Sequence, residues 1–265
     1  EMSARIFDGK LKAEEILEDV AKRVSRLQSA PKLVSFYNPK DSGSALYTRI
    51  KRQKAESVGI EFEEKEIEWV DETVKKLLEV GQDASVTGIL VQHPTGEEAF
   101  SEEDWKRLVG AIPLAKDVDG LREDSPFVPA TVRAILVAIE DAGGIWKDCK
   151  VAVVGASGMV GKPLVKVLSE KGAKVRAIDE NTEDIWYQTK NSDIVISAVG
   201  KQDLILGEQI KEGAIVIDVG SPGGDIHFDS ASAVASFITP VPGGIGPLTV
   251  ACLLENTVMA AEKNV

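Results

Sequence analysis

The 265-residue chain is long enough for one large domain or two modest ones, each with its own core. Its 43% hydrophobic and 28% charged content matches an ordinary soluble globular protein, and a formal net charge of −12 argues against nucleic acid as the main partner, because phosphate binding rests on clustered Lys and Arg. No apolar run approaches the length of a membrane span and the N-terminus lacks a signal-peptide pattern, so the expectation is a cytoplasmic protein with no membrane partner. Cys149 and Cys252 lie far apart without metal-type spacing, and His93 and His227 cannot make a ligand cluster by themselves, so no metal is expected.

Residues 11–28 place Leu11, Ile16, Val20, Val24 and Leu27 on one face at helical spacing, which predicts an amphipathic helix ended by Pro31. Lys32 to Tyr37 reads as a buried strand, closed by an Asn38-Pro39 turn. The helix-start signal Asp41-Ser42-Gly43-Ser44 then opens a second helix. On it Tyr47 and Lys51 stand four residues apart and share a face; by composition alone they read as ordinary solvated residues.

Glu61 to Ile67 alternates as a strand and Asp71 to Val80 reads as a helix. Val86 to Gln92 is a near-continuous apolar run that stops abruptly at Gln92-His93-Pro94, the pattern of a central parallel strand with polar residues at its C-terminal end, where open α/β sheets bind ligands. After a helix at 101–109, the segment Pro113 to Gly120 carries Asp117 and Asp119; a metal site, a substrate-gripping loop and a simple turn all fit it.

Beyond Ser125-Pro126 the chain enters a second domain, beginning with an apolar helix from Thr131 to Ala142. Lys150 to Asp179 then reads as strand, turn, helix and strand. The turn spaces its glycines Gly155-x-x-Gly158-x-x-Gly161, and Asp179 follows Gly155 by 24 residues, where an acid would read ribose hydroxyls. Glycine there permits a tight turn and close backbone approach to a pyrophosphate, and the helix N-terminus adds N–H groups and a positive dipole end. This points to a dinucleotide site, although a plain βαβ unit with packing glycines shares the pattern. Asp193 to Val199 and Ala214 to Val219 are two more buried strands, each followed by a glycine, Gly200 and Gly220. The Pro- and Gly-rich stretch from Phe237 to Thr249 is a stiff shaped loop ahead of a C-terminal helix, Leu248 to Glu262.

Five separated segments together resemble the bifunctional methylenetetrahydrofolate dehydrogenase/methenyltetrahydrofolate cyclohydrolase family: Ser44-x-x-Tyr47-x-x-x-Lys51, Gly88-Ile-Leu-Val-Gln92-x-Pro94, Pro113-x-x-Lys116-Asp-Val-Asp-Gly120, Val154-Gly-x-Ser-x-x-Val-Gly161-x-Pro163 and Thr239-Pro-Val-Pro-Gly-Gly-x-Gly-Pro-x-Thr249. The resemblance implies two α/β domains flanking a cleft, a folate-binding catalytic domain of residues 1–122 plus 248–265 and a Rossmann-like doubly wound parallel sheet of residues 123–247. It implies a homodimer, and oxidation of 5,10-methylenetetrahydrofolate followed by hydrolysis to 10-formyltetrahydrofolate. In such a scheme Lys51 shuttles a proton, Gln92 holds its hydrogen-bonding state, Tyr47 stacks on the folate, and Asp119 accepts from the pterin N–H edge while Asp117 braces the loop. Pro242, Gly243 and Gly244 let the backbone approach substrate. The cofactor residues so implied are Gly155, Ala156, Ser157, Gly158, Val160, Gly161, Asp179, Glu180, Gly200, Ser221 and Thr249.

Two departures bear on the cofactor. Ala156 stands where the family commonly has Arg, and Asp179-Glu180-Asn181 stands where it commonly has His-Ser-Arg/Lys. Two carboxylates and the lost cations and donors point to NAD; the family points to NADP, which stands first as the expectation because Lys162 or Arg176 are cations able to substitute. A dehydrogenase for another small substrate, or a non-catalytic nucleotide-binding protein, would account for Gly155 to Asp179 but would leave Tyr47, Lys51, Gln92 and Asp119 unexplained.

Overall fold

The computed structural model describes residues 4–94 and 99–263, so 1–3, 95–98 and 264–265 of the expected folate-binding domain lie outside the described residues. The chain forms two compact units. One comprises Glu14–Ala130 and Val250–Val265, the other Glu1–Ala13 and Thr131–Thr249.

The first unit is built on a three-stranded parallel sheet in the order β3-β2-β4, from β2 (Lys32–Tyr37), β3 (Glu61–Glu66) and β4 (Gly88–Val91). The central strand is apolar on both faces because both are covered: Leu33, Val34 and Phe36 are fully buried, as are Ile89 and Leu90 of β4. Edge strand β3 is charged and half-exposed, a composition that discourages pairing with another chain. Helices α2 (Ser42–Ser57), α3 (Val70–Gln82) and α4 (Glu102–Gly110) complete the unit, and Leu77 and Leu108 join Phe36 and Ile89 in its core. Asp41 caps α2 by accepting from the Ser44 backbone N–H at 2.9 Å, as its helix-start signal predicts.

Two helices run across the division of the chain, α1 (Gly9–Val24) and α9 (Ile245–Lys263). Within the first unit Arg23 of α1 grips Glu262 of α9 through two hydrogen bonds of 2.9 and 2.7 Å. Asn256, buried in the apolar face of α9, donates to the Val118 carbonyl at 2.9 Å and the Val128 carbonyl at 3.1 Å. The C-terminal helix therefore closes this unit by holding the loop on either side of Asp119.

The second unit is a six-stranded parallel sheet in the order β1-β9-β8-β7-β5-β6, formed by β1 (Arg5–Ile6), β5 (Lys150–Val154), β6 (Lys174–Ile178), β7 (Ile194–Ser197), β8 (Ile215–Asp218) and β9 (Phe237–Ile238). β5 has its successor β6 on one side and β7 on the other, so the winding reverses between β5 and β7; the C-terminal ends there form a topological switch point. The helices of this unit are α5 (Ala130–Asp141), α6 (Gly161–Glu170), α7 (Ile185–Lys190) and α8 (Phe228–Ser232).

The division differs from the expected domain limits at three points. Of the described residues, 4–13 belong with the six-stranded sheet, and the two breaks fall at 130/131 and 249/250. The N-terminal segment changes sides because β1 adds to β9, pairing Arg5 with Phe237 and Ile6 with Ile238. Arg5 also lies over the Phe237 ring at 4.7 Å and bonds Asp141 at 2.8 Å. A strand of two residues offers no alternation to read.

Replacing Asn256 with Ala leaves the buried Val118 carbonyl and the part-buried Val128 carbonyl without their donor and should destabilise the protein by about 2 kcal/mol. Urea unfolding followed by far-ultraviolet circular dichroism measures the shift in midpoint.

Candidate active site

The buried face of α2 carries Ser44, Thr48, Lys51 and Ala55. Three of these are small, so the stripe is shallow and Lys51 is its one long side chain. The helix packs on β2 and β3, and Lys51 is only 8% exposed. The solvated placement that composition suggests therefore holds for Tyr47, 39% exposed one turn earlier, and fails for Lys51. The Lys51 amine donates to Oε1 of Gln92 at 2.6 Å.

Gln92 extends the pairing of β4, its backbone N–H donating to the Phe36 carbonyl at 2.8 Å, so its side chain emerges at the C-terminal end of the central strands. The next residue anchors the turn. His93 bonds the Pro94 carbonyl through Nδ1 at 2.7 Å and meets the Trp105 ring edge-on at 4.7 Å.

Asp119 sits in the loop after a short 3-10 turn, Leu114–Lys116. Its shape comes from Asp117, fully buried, whose carboxylate accepts from the Leu121 and Arg122 backbone N–H groups at 3.0 and 2.9 Å. The Arg122 guanidinium bonds the Gly110 and Ile112 carbonyls at 3.0 and 2.9 Å, tying the loop to the end of α4. Asp117 thus braces the loop, as expected, and Asn256 braces it from α9. Sequence reasoning missed Asn256, although a lone amide within the apolar run LTVACLLENTV was a usable signal.

Burial sets the protonation of the two central groups. It lowers the Lys51 amine below the usual lysine range, with the charge of Asp119 opposing the shift. It raises the Asp119 carboxyl to about 6; Lys51 opposes the rise and Asp117 adds to it. The site therefore holds an amine whose proton affinity burial has lowered, a glutamine oriented by that amine, and a carboxyl that titrates at about 6.

The second unit presents the glycine turn between β5 and α6. A Cβ on Gly161 would lie 2.0 Å from the Gly155 carbonyl oxygen, so glycine there is a packing requirement between turn and helix. Ala156 is buried beneath the turn, while Ser157 and Gly158 are exposed on it. α6 begins beyond Val160 without a side-chain cap. Asp179, just past β6, accepts on Oδ1 from the Ser157 backbone N–H at 2.9 Å and the Ser157 hydroxyl at 2.8 Å. Exposed Glu180 follows. Gly200 and Ser221 lie beyond β7 and β8, and Thr249 is on α9 with its hydroxyl on the Ile245 carbonyl at 3.2 Å. Pro242 and Gly243 precede α9 near the surface and Gly244 is buried. A glycine-rich turn, a helix start whose N–H groups have no side-chain cap, and an adjacent acceptor carboxylate are the features that a dinucleotide site requires.

Residues 7–119 match the family model described as the tetrahydrofolate dehydrogenase/cyclohydrolase catalytic domain, and residues 129–265 match its NAD(P)-binding domain. The bifunctional protein FolD of Moorella thermoacetica is 39% identical over 99% of this chain and 100% of its own length. Among solved structures, the bifunctional FolD dehydrogenase/cyclohydrolase from Campylobacter jejuni superposes with a TM-score of 0.91 at 29% identity, covering 99% of this chain and 100% of that one. The Trypanosoma brucei enzyme, complexed with NADP and an inhibitor, gives a TM-score of 0.91 at 29% identity over 99% of this chain and 98% of its own. With both halves of the chain matched and the relatives covered end to end, the protein belongs to the tetrahydrofolate dehydrogenase/cyclohydrolase family, as an enzyme that uses a nicotinamide cofactor and folate substrates.

Proposed function

We propose that Lys51, Gln92, Asp119 and Tyr47 form the folate-handling site, and that the observation carrying this assignment is the buried Lys51 amine held 2.6 Å from Gln92 beside the charge of Asp119. The enzyme oxidises 5,10-methylenetetrahydrofolate to the 5,10-methenyl cation and hydrolyses that to 10-formyltetrahydrofolate. The nicotinamide ring, when bound, supplies the hydride acceptor for the first reaction.

In the second reaction water adds to the methenyl carbon and loses a proton. Lys51, its proton affinity lowered by burial, accepts that proton in its neutral form. The C–N5 bond of the adduct then breaks, N5 takes the hydroxyl proton, and the formyl group remains on N10; one proton is released overall. Gln92 accepts from the amine and keeps its lone pair directed. Asp119 accepts from the pterin N–H edge, and the half-exposed ring of Tyr47 offers a stacking face on the same helix.

Lys51→Met keeps the stem and removes the amine. It should slow hydrolysis of the methenyl substrate by about 10²- to 10⁴-fold, the range of general acid–base catalysis, while dinucleotide affinity stays within about twofold. Loss of methenyl-folate absorbance and a dinucleotide titration are the two measurements; undiminished hydrolysis would remove Lys51 from the mechanism.

Asp119 is a charge-assisted acceptor on both oxygens only when ionised. With its pKa at about 6, kcat/KM for folate should fall as pH drops through that value and level off above it. Asp119→Asn should remove this limb and weaken folate binding by about tenfold or more. A pH profile from 5 to 8 on both proteins tests this.

For the cofactor we propose NAD. Asp179 is fixed against the phosphate turn by Ser157 and Glu180 adds a second exposed carboxylate, which opposes a 2′-phosphate. Arg176, a cation that could have compensated, directs Nη1 to Gln188 at 2.9 Å. Repulsion of roughly 1–2 kcal/mol corresponds to about five- to thirtyfold. The ratio of kcat/KM for NAD over NADP should be of that order, and Asp179→Ser with Glu180→Arg should bring it to about one; faster turnover with NADP in the unaltered enzyme would reverse the assignment.

A further inference from the structure

We infer that Asp225 is a positioning residue for the dinucleotide, its carboxylate gathering the turn after β7 into one shape while Asp218 holds the segment that carries Asp225. Neither acid is among the site residues expected from the sequence, and both are buried, Asp225 completely. Oδ2 of Asp225 accepts from the Ser197 hydroxyl at 2.8 Å and the Val199 N–H at 2.7 Å; Oδ1 accepts from the Gly200 and Lys201 N–H groups, each at 2.8 Å. Three successive backbone donors converging on one carboxylate make an anion nest whose anion is part of the chain.

Asp218, the last residue of β8, repeats the device one strand over. Its carboxylate accepts from the N–H groups of Gly220 at 2.8 Å, Asp225 at 3.0 Å and Ile226 at 2.9 Å. Its own N–H donates to the Thr239 hydroxyl at 2.8 Å, which brings in the end of β9. Two acids thereby tie the C-terminal ends of β7, β8 and β9 together. The packing is close, since a Cβ on Gly220 would lie 2.3 Å from Oδ1 of Asp225.

The turn so held, Val199 to Lys201, follows the strand at the switch point, and the segment from Gly220 to Asp225 includes Ser221. The inference rests on the reading that the dinucleotide lies along this edge. Without the Asp225 carboxylate three inward N–H groups lose their acceptor, and the turn has no reason to keep the shape that a bound dinucleotide meets. The consequence is specific to one activity. Hydrolysis of the methenyl substrate consumes no dinucleotide, and Lys51, Gln92 and Asp119 belong to the other unit.

The test measures both reactions separately on Asp225→Asn, Ser197→Ala and Ser157→Glu, with hydrolysis started from methenyltetrahydrofolate directly. Asp225→Asn turns an amide N–H₂ toward N–H donors and should raise the dinucleotide KM at least about tenfold, with hydrolysis within about twofold of the unaltered enzyme. Ser197→Ala removes one of the four donors and should shift the dinucleotide KM in the same direction, about two- to fivefold; it decides the matter if Asp225→Asn fails to fold. A dinucleotide KM unchanged in both, or hydrolysis falling in parallel with dehydrogenation, overturns the inference. Ser157→Glu puts a carboxylate on the phosphate turn: if it weakens dinucleotide binding while the other two do not, only the role of Asp225 is lost. If it leaves binding unchanged, the edge is not the cofactor site and the inference falls with that reading.

Discussion

A lysine amine removed from water is the constraint around which the catalytic unit is arranged. Burial penalises the charged amine, and the cost is met in three ways at once: by lowering the affinity of Lys51 for its proton, by the acceptor on Gln92 and by the nearby charge of Asp119. Each solution makes a structural demand. The amine reaches its place because its neighbours on the buried face of α2 are Ser, Thr and Ala. Gln92 is in range because β4 ends where it does, beside the central strand. Asp119 is held by a loop whose own acid, Asp117, is satisfied by backbone N–H groups, and whose carbonyl at Val118 is satisfied by Asn256. The same burial that lowers the lysine raises the aspartate, so the pair stands closer in proton affinity than free Lys and Asp do. A proton shuttle needs that closeness.

The fold was legible where hydrophobic period and length agreed. β2, β5 and the helices α3 and α5 fall within a residue or two of their expected limits, because continuous apolar runs and helical stripes are set by burial. What escaped was short or local. β1 and β9 have two residues each, α7 six and α8 five, too few for any period to register. Missing β1 and β9 had a consequence, since their pairing carries the N-terminal segment into the six-stranded sheet and redraws the division of the chain.

The site was legible in a different way. A Lys four residues after a Tyr is unremarkable on composition, and its burial could not be inferred from a helix of low overall apolarity; here the resemblance of five separated segments supplied what periodicity could not. Asn256 and Asp225 were invisible for a physical reason. Their function is to satisfy backbone groups far away in sequence, Val118 for the first and Gly200 for the second, and such pairings follow from tertiary structure alone.

The two halves of the chain use acids in opposite senses, and this bears on how a protein of net charge −12 binds anionic ligands. A long-range field of that sign slows the approach of folate and dinucleotide, though screening confines the effect to about 8–10 Å at physiological salt. Affinity must then come from donors at short range. At the switch-point edge, Asp218 and Asp225 are buried and each oxygen is turned onto backbone N–H groups or a hydroxyl, so their charges act inward to shape turns. Asp179 is tethered to the glycine turn and Glu180 faces solvent, so theirs act outward. In the proposed placement of the dinucleotide, an edge with inward-turned acids and an uncapped helix start suits a pyrophosphate, while an outward pair of carboxylates beside the ribose opposes any further negative charge there. The proposed discrimination between dinucleotides therefore depends on which acids the fold has already engaged with its own backbone, and the number of acids near the site matters less to it than the direction in which each one faces.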